Sequence, residues 1–237
     1  MTDQRTLPPP LELAQDAIAA WVEAAPVGLG LCPFAAAPWR AGRVQIDVSD
    51  GRSLERAVTD AATLGQALSK NVETALVVFP FALDDFEDFL DAIDLLETYR
   101  EDAGLADTFQ LASFHPEYRF EGVDADAPSN FTNRSPLPVL QWLRMDSVRA
   151  AADGSDTLAI PTRNIATVEA LTPIAREGLR ALPGVSIGAG GRCAATDVRV
   201  TFGSQGIASS RTYPAGTQID PGPWALHLRS GTLERLD

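Results

Sequence analysis

The sequence predicts an α/β protein, with layered helices on a mostly parallel or mixed sheet and a small C-terminal β appendage. Two observations carry the main domain. Three β-prone runs, at residues 44–48, 75–79 and 109–114, alternate with amphipathic stretches of helical period. Those stretches are bounded by capping residues, prolines and glycines in the order helices require. A third observation marks the appendage: from Pro183 onward, glycine-rich turns separate short alternating segments. The chain therefore divides into a lead at residues 1–10, an α/β domain at 11–182 and a β-rich extension at 183–237.

After Pro8-Pro9-Pro10, residues 11–25 read as a helix with Leu13, Ala17, Ala20 and Trp21 on one stripe, stopped by Pro26, Gly28 and Gly30. Residues 44–48 alternate apolar and polar, as a half-buried strand does. Ser53 then caps a helix to about Ser69 that turns Leu54, Val58, Leu64 and Leu68 inward. Residues 75–79 are continuously apolar, which predicts a central strand covered on both faces. The strongest amphipathic pattern spans residues 84–102. Phe86, Phe89, Leu90, Ile93 and Leu96 recur at helical spacing, Asp84, Asp85, Asp88, Asp91 and Asp94 form the opposite, solvated face, and Gly104 ends the helix. Residues 109–114 give the third strand. Ser135-Pro136 resembles a helix start, a capping hydroxyl with proline in the first turn, so residues 139–152 are expected to be helical. A further helix is expected over residues 163–171, and short strands over 197–202, 211–213 and 224–228.

Composition narrows the function. Hydrophobic residues make up 45% of the 237 and charged residues 22%, enough to build a packed core. With 19 Lys+Arg against 32 Asp+Glu the net charge is −13, which disfavours nucleic acid and anionic membrane as partners. Lys70 is the only lysine and is followed by Asn71, so neither a pyridoxal-phosphate Schiff base nor a P-loop nucleotide site is expected. The longest apolar run, residues 74–83, contains Pro80 and is far short of the roughly 20 residues that span a bilayer. The lead carries no secretory apolar region, and the expected compartment is the cytoplasm. Cys32 and Cys193 are accordingly not expected to form a disulfide, and the sequons at Asn130 and Asn133 are chance matches.

Chemistry concentrates in four places. Ser113-Phe114-His115-Pro116-Glu117-Tyr118-Arg119-Phe120 lies where the third strand ends, the edge at which open α/β sheets bind ligands. His115 is the one plausible imidazole acid–base group there, with Glu117 beside it and Tyr118 and Arg119 as substrate contacts; His227 falls in the appendage. The plainer alternative has His115 bonding a backbone carbonyl and Glu117–Arg119 forming a surface ion pair. Asn130, Asn133, Arg134 and Ser135 would converge before the helix expected at 139, where an arginine fork and a helix N-terminus suit a carboxylate or phosphate. Simple loop capping is the alternative. Arg163 and Asn164 would add to the same patch. Cys32, between glycines and Pro33, is either a nucleophile at a helix start or a small buried wall residue. Gly188-Ala189-Gly190-Gly191 lacks the following helix of a dinucleotide loop.

Gly28-Leu29-Gly30-Leu31-Cys32-Pro33-Phe34-Ala35, Ala112 to Phe120 around His115-Pro116-Glu117, Asn130-Phe131-Thr132-Asn133-Arg134-Ser135-Pro136 and Arg163-Asn164-Ile165-Ala166-Thr167 together resemble an uncharacterised bacterial family, number 1415 among the domains of unknown function. The resemblance covers roughly residues 12–172 and implies a bacterial, intracellular α/β protein without an assigned activity. Members often carry a lysine where this chain has Ala36, and a His and a Glu where it has Gln141 and Met145. On one helix face, that pair with His115 would form a two-histidine, one-carboxylate metal site. Gln141 and Met145 would leave such a site incomplete here.

The expected function is an enzyme of small-molecule metabolism acting on an anionic, carboxylate-bearing metabolite. Arg134 and Asn133 would hold the anion, His115 would move the proton, and Cys32 would attack or wall the site. Two alternatives stand beside it: a non-catalytic ligand-binding or partner-docking relative that has lost metal ligands, and a non-haem metal enzyme using His115. The appendage is read as a lid, a packing extension or a dimer arm of a homo-oligomer.

Overall fold

A computed structural model describes residues 10–152, 159–180, 198–202 and 209–213. Helix α1 (Pro10–Val22) is followed by a π-helical turn at Glu23–Val27, the short α2 (Ala36–Arg40), β1 (Val44–Val48), α3 (Leu54–Ala67), β2 (Thr74–Val78), α4 (Phe86–Asp102) and β3 (Phe109–Phe114). A 3-10 turn at Pro128–Thr132 precedes β4 (Val139–Arg144), α5 (Met145–Ala152), α6 (Ile160–Glu169), α7 (Pro173–Arg180) and the strands β5 (Val198–Phe202) and β6 (Ser209–Tyr213).

The four-stranded sheet has the order β1-β2-β4-β3, with β1 parallel to β2 and β4 antiparallel to both its neighbours. It is thus the mixed sheet of an α/β fold. Side chains alternate across it. Ile46, Leu76, Val78 and Val139 pack with Ile18, Trp21 and Val22 of α1 on one face. Ala75, Val77, Leu140 and Trp142 pack with Ala57, Ala61 and Leu64 of α3 and Phe89, Ala92 and Leu96 of α4 on the other. All five residues of β2 are buried, as a strand with helices on both faces requires.

Local chemistry accounts for the boundaries. Ser53 Oγ accepts the Arg56 N–H at 3.3 Å, and Asp85 Oδ1 accepts those of Glu87 and Asp88, so both long helices open on a side-chain cap. Pro26 does not stop α1 outright. A proline has no N–H and its ring crowds the carbonyl four residues back, and the chain accommodates it by widening into the π turn. Leu90, expected inward, is 37% exposed, because Phe89, Ala92 and Leu96 define the buried stripe.

The principal correction concerns residues 139–152. Val139–Arg144 is a central strand, not the start of a helix, and α5 begins only at Met145. Leu, Gln and Arg favour helix intrinsically, but here Leu140 and Trp142 are buried against α3 and α4 between two strands, and tertiary packing overrides the preference. The Trp142 indole lies against Gly65 and donates to the Ala61 carbonyl at 3.0 Å. A Cβ on Gly65 would stand 2.6 Å from the ring, so this position of α3 admits only glycine without repacking. In the extension, β5 and β6 pair antiparallel. The expected strand at 224–228, the glycines at 188–191, Cys193 and His227 lie outside the described residues.

Candidate functional site

A cavity of about 690 Å³ opens between α1, the loop carrying Cys32 and the face of the sheet that α1 covers. Its floor is sheet: Thr74 and Leu76 on β2, Gln141 and Leu143 on β4, Phe114 at the end of β3. Trp21, Val22 and Pro26 wall one side, Ser147 and Val148 of α5 another, and Asn164 of α6 comes in beside Cys32. A pocket with an apolar body and a few polar groups is the ordinary form of a small-molecule site.

The backbone delivers Cys32 to this wall. The π turn puts the Pro26 carbonyl where the Cys32 N–H donates to it at 3.1 Å, and Gly30 takes a left-handed φ of 66° to reverse the chain. Burial pushes the Cys32 thiol above its ordinary value of 9.0, and the N–H groups of Phe34 and Ala35 and the charge of Arg163 offset part of that. Arg163 donates through Nη2 to the Gly30 carbonyl at 3.2 Å and to Asn164 Oδ1 at 3.4 Å, and Asn164 Nδ2 donates to the Leu31 carbonyl at 2.5 Å. The expected pairing of Arg163 and Asn164 with a site therefore takes place at Cys32, not at Arg134.

His115 is elsewhere and is occupied. It is fully buried between Phe86 and Phe89, at ring distances of 5.2 and 4.9 Å. Nδ1 accepts the Glu117 N–H at 3.0 Å, so in the neutral ring Nε2 carries the hydrogen and donates to the Leu83 carbonyl at 3.0 Å. Desolvation holds its pKa below the ordinary 6.5, although the Leu83 carbonyl, Glu117, Asp84 and Asp85 pull the other way. With both nitrogens on backbone and no face on the cavity, His115 is a tie between the end of β3 and the β2–α4 loop. The structure does not bring it to the cavity with the other expected site residues. Among the described residues no group of three or more His, Cys, Asp or Glu is arranged to hold a metal ion. Gln141 sits in β4 and Met145 opens α5, so the one-face helical spacing expected of that pair does not exist.

The loop from 115 to 138 absorbs most of the other expected contacts. Arg134 is buried; its Nε donates to the Tyr118 carbonyl at 3.2 Å and its Nη2 to that of Ala125 at 2.6 Å, while the guanidinium stacks 4.4 Å from the Phe131 centroid. No helix N-terminus follows it, because β4 does. Its described bonds brace the loop rather than face the cavity. Asn130 is fully buried, donating to the carbonyls of Asp124 and Ala125 and accepting the Phe120 N–H; Ser135 donates to the Leu137 carbonyl. Tyr118 packs on Phe86 and Phe120, and Glu117 is exposed. Arg119 pairs with Glu87 at 2.7 Å on the surface, not with Glu117. Asn133 lines the cavity, but its amide donates to the Ser113 carbonyl and accepts from Thr132.

Of the residues expected from sequence, Cys32, Asn133 and Asn164 line one cavity, with Arg163 bonded to Asn164 beside them. The family model for the protein of unknown function DUF1415 matches residues 13–177, the stretch that builds the four-stranded sheet, this cavity and, Leu179 apart, the described residues of both cores. The chain belongs to the DUF1415 family. No curated protein and no solved structure matches it. In this DUF1415 chain, sequence reasoning missed Trp21, Thr74 and Phe114 as cavity residues and met Gln141 only as a displaced metal ligand. The available signal was a polar residue inside an apolar run, Val-Leu-Gln-Trp-Leu, which becomes informative once that run is a strand. Among the described residues, no helix is long and apolar enough to cross a membrane.

Proposed function

We propose that this DUF1415 protein is an enzyme of small-molecule metabolism that binds a carboxylate-bearing metabolite in the cavity and acts on it through Cys32. The supporting observation is a half-buried thiol and the Asn164 amide on one cavity wall, with the exposed Arg163 bonded to Asn164 and its charge favouring the thiolate. A carboxylate beside Arg163 would gain a charge-assisted hydrogen bond, worth about 1.5–3 kcal/mol. The apolar walls around Trp21, Leu76 and Phe114 would take the body of the molecule. We place the protein in the bacterial cytoplasm, in keeping with its acidic composition and unpaired Cys32, and read the antiparallel β5–β6 pair as part of an arm for a second copy.

A second reading, a binding protein without turnover, is favoured by the surroundings of Cys32: no imidazole among the described residues faces it, and burial raises its thiol pKa, which disfavours the thiolate. The two separate in one experiment. The purified chain is incubated with a panel of aliphatic and aromatic monocarboxylates and scored by mass spectrometry for retained and for altered compounds. Turnover that Cys32→Ser abolishes, with retention weakened roughly tenfold by Arg163→Ala, supports the enzyme. Stoichiometric retention without alteration establishes the binding protein instead, and retention indifferent to Arg163 overturns the carboxylate assignment.

A further inference from the structure

Three amide side chains line the cavity, and their hydrogen bonds differ. Asn133 donates through Nδ2 to the Ser113 carbonyl, and its Oδ1, 3.0 Å from the Thr132 hydroxyl, shares that single hydrogen with the Ser129 carbonyl at 2.9 Å. Asn164 likewise bonds the Leu31 carbonyl and Arg163. Gln141 uses only Nε2, which donates to Thr74 Oγ1 at 2.8 Å, and its Oε1 has no hydrogen-bond partner among the described residues. The orientation of that amide is not free. Thr74 Oγ1 lies 3.0 Å from the Trp142 carbonyl, which can only accept, so the hydroxyl hydrogen points there and the oxygen is left to accept. Gln141 must then turn its NH₂ to Thr74 and keep its oxygen for the cavity. The relay Gln141→Thr74→Trp142 carbonyl is anchored in the β2–β4 pairing, where Thr74 stands opposite Leu143 and Leu76 opposite Gln141.

We propose that Gln141 is the specificity-determining residue of the cavity, accepting at Oε1 a hydroxyl or N–H carried on the apolar body of the ligand. The proposal rests on the reading of this cavity as the site of a carboxylate-bearing metabolite and narrows that class to acids that also hold a hydrogen-bond donor. An analogue with an ether in place of the hydroxyl meets a carbonyl-type oxygen with another oxygen and loses the bond. An acceptor left unmatched in the pocket discriminates more sharply than a missing methylene does.

The test uses the full chain and four probes, 3- and 4-hydroxyphenylacetate and their methyl ethers, with 4-methylphenol as the donor without a carboxylate. Affinities come from NMR titration, following the Gln141 side-chain amide signal. The expected result is that one of the hydroxy acids binds about three- to tenfold tighter than its ether, shifts the Gln141 amide, and loses that preference in Gln141→Leu while still binding. Thr74→Val, which removes the relay and frees the amide to rotate, should shrink the preference without emptying the cavity. A preference that survives in both variants, or acids that bind with no preference in the wild type, overturns the role of Gln141 and leaves the carboxylate reading standing. Should 4-methylphenol bind as tightly as the acids and still shift Gln141, the carboxylate reading falls and the role of Gln141 holds. Absence of binding by all five compounds overturns both.

Discussion

His115 shows how a residue with catalytic credentials can be structural. Its ring satisfies a carbonyl at Leu83, whose φ of 62° is left-handed and costs a non-glycine residue about 1 kcal/mol, and an amide at Glu117. His115→Ala should cost about 3 kcal/mol or more, since it strands a buried carbonyl and opens a void. A pH series gives a finer test. The folded pKa is depressed, so the neutral ring contributes stability above 6.5 that is lost as the pH falls through the folded value. His115→Gln keeps a donor for Leu83 and does not titrate. Denaturant melts from pH 7 to pH 5 should therefore fall less steeply for this variant than for the wild type; parallel slopes would refute the assignment.

Cys32 is the opposite case, a residue with a plain alternative that the cavity turns into a candidate. In a chain whose Cys193 is replaced by Ser, iodoacetamide should alkylate Cys32 slowly at neutral pH, with a rate still climbing at a pH where an ordinary thiol, at 9.0, has titrated. Arg163→Ala removes a favourable charge and should move that profile further up. A profile unchanged by Arg163→Ala would mean that the guanidinium does not act on the sulphur. The four motifs were legible in the sequence, but not which of them share a cavity. Arg134 and Arg163 look alike as arginines beside an asparagine. Only the positions of the carbonyls at Tyr118 and Ala125 commit one guanidinium to a loop, while Arg163 keeps nitrogens beyond the one that bonds Gly30 and Asn164.

Among the elements, β4 is the informative one. The strands and helices that were legible, β1, α3, β2, α4 and β3, all have periodicity and caps agreeing with their final environment. In β4 they disagree, because a serine-proline step and helix-favouring residues precede a position between two strands. Its lock on α3 is testable. Gly65→Ala should destabilise by about 1–3 kcal/mol through overpacking against Trp142, even though alanine is the better helix former by roughly 1 kcal/mol. In a Trp142→Phe background the same change should cost distinctly less, a coupling that thermal melts of the four proteins would reveal. Equal costs in both backgrounds would show that the indole is not what excludes a side chain there. At the other end of α3 the effect is smaller: Ser53→Ala removes a cap and should cost about 1 kcal/mol.

On the scale of the whole molecule, the described residues of both hydrophobic cores lie between Ala14 and Leu179. A chain ended at residue 182 should accordingly retain a cooperative thermal transition, monitored by circular dichroism, within a few degrees of the full-length one. Loss of cooperativity would make the extension part of the folding unit. The sequence by itself determined the α/β class, the helices α1, α3, α4 and α6 with the Ser53 cap, three of the four strands of the main sheet and the family, because each of these is written in local periodicity and in short contiguous motifs. The tertiary structure alone decided that β4 completes the sheet, that His115 and Arg134 bond backbone groups away from the cavity, and that Cys32 shares a cavity with Thr74 and Gln141. The physical reason is common to all three. Burial between neighbours distant in sequence sets both the conformation of a stretch with mixed propensity and the partners left to a polar atom, and neither quantity is encoded in the spacing of residues along the chain.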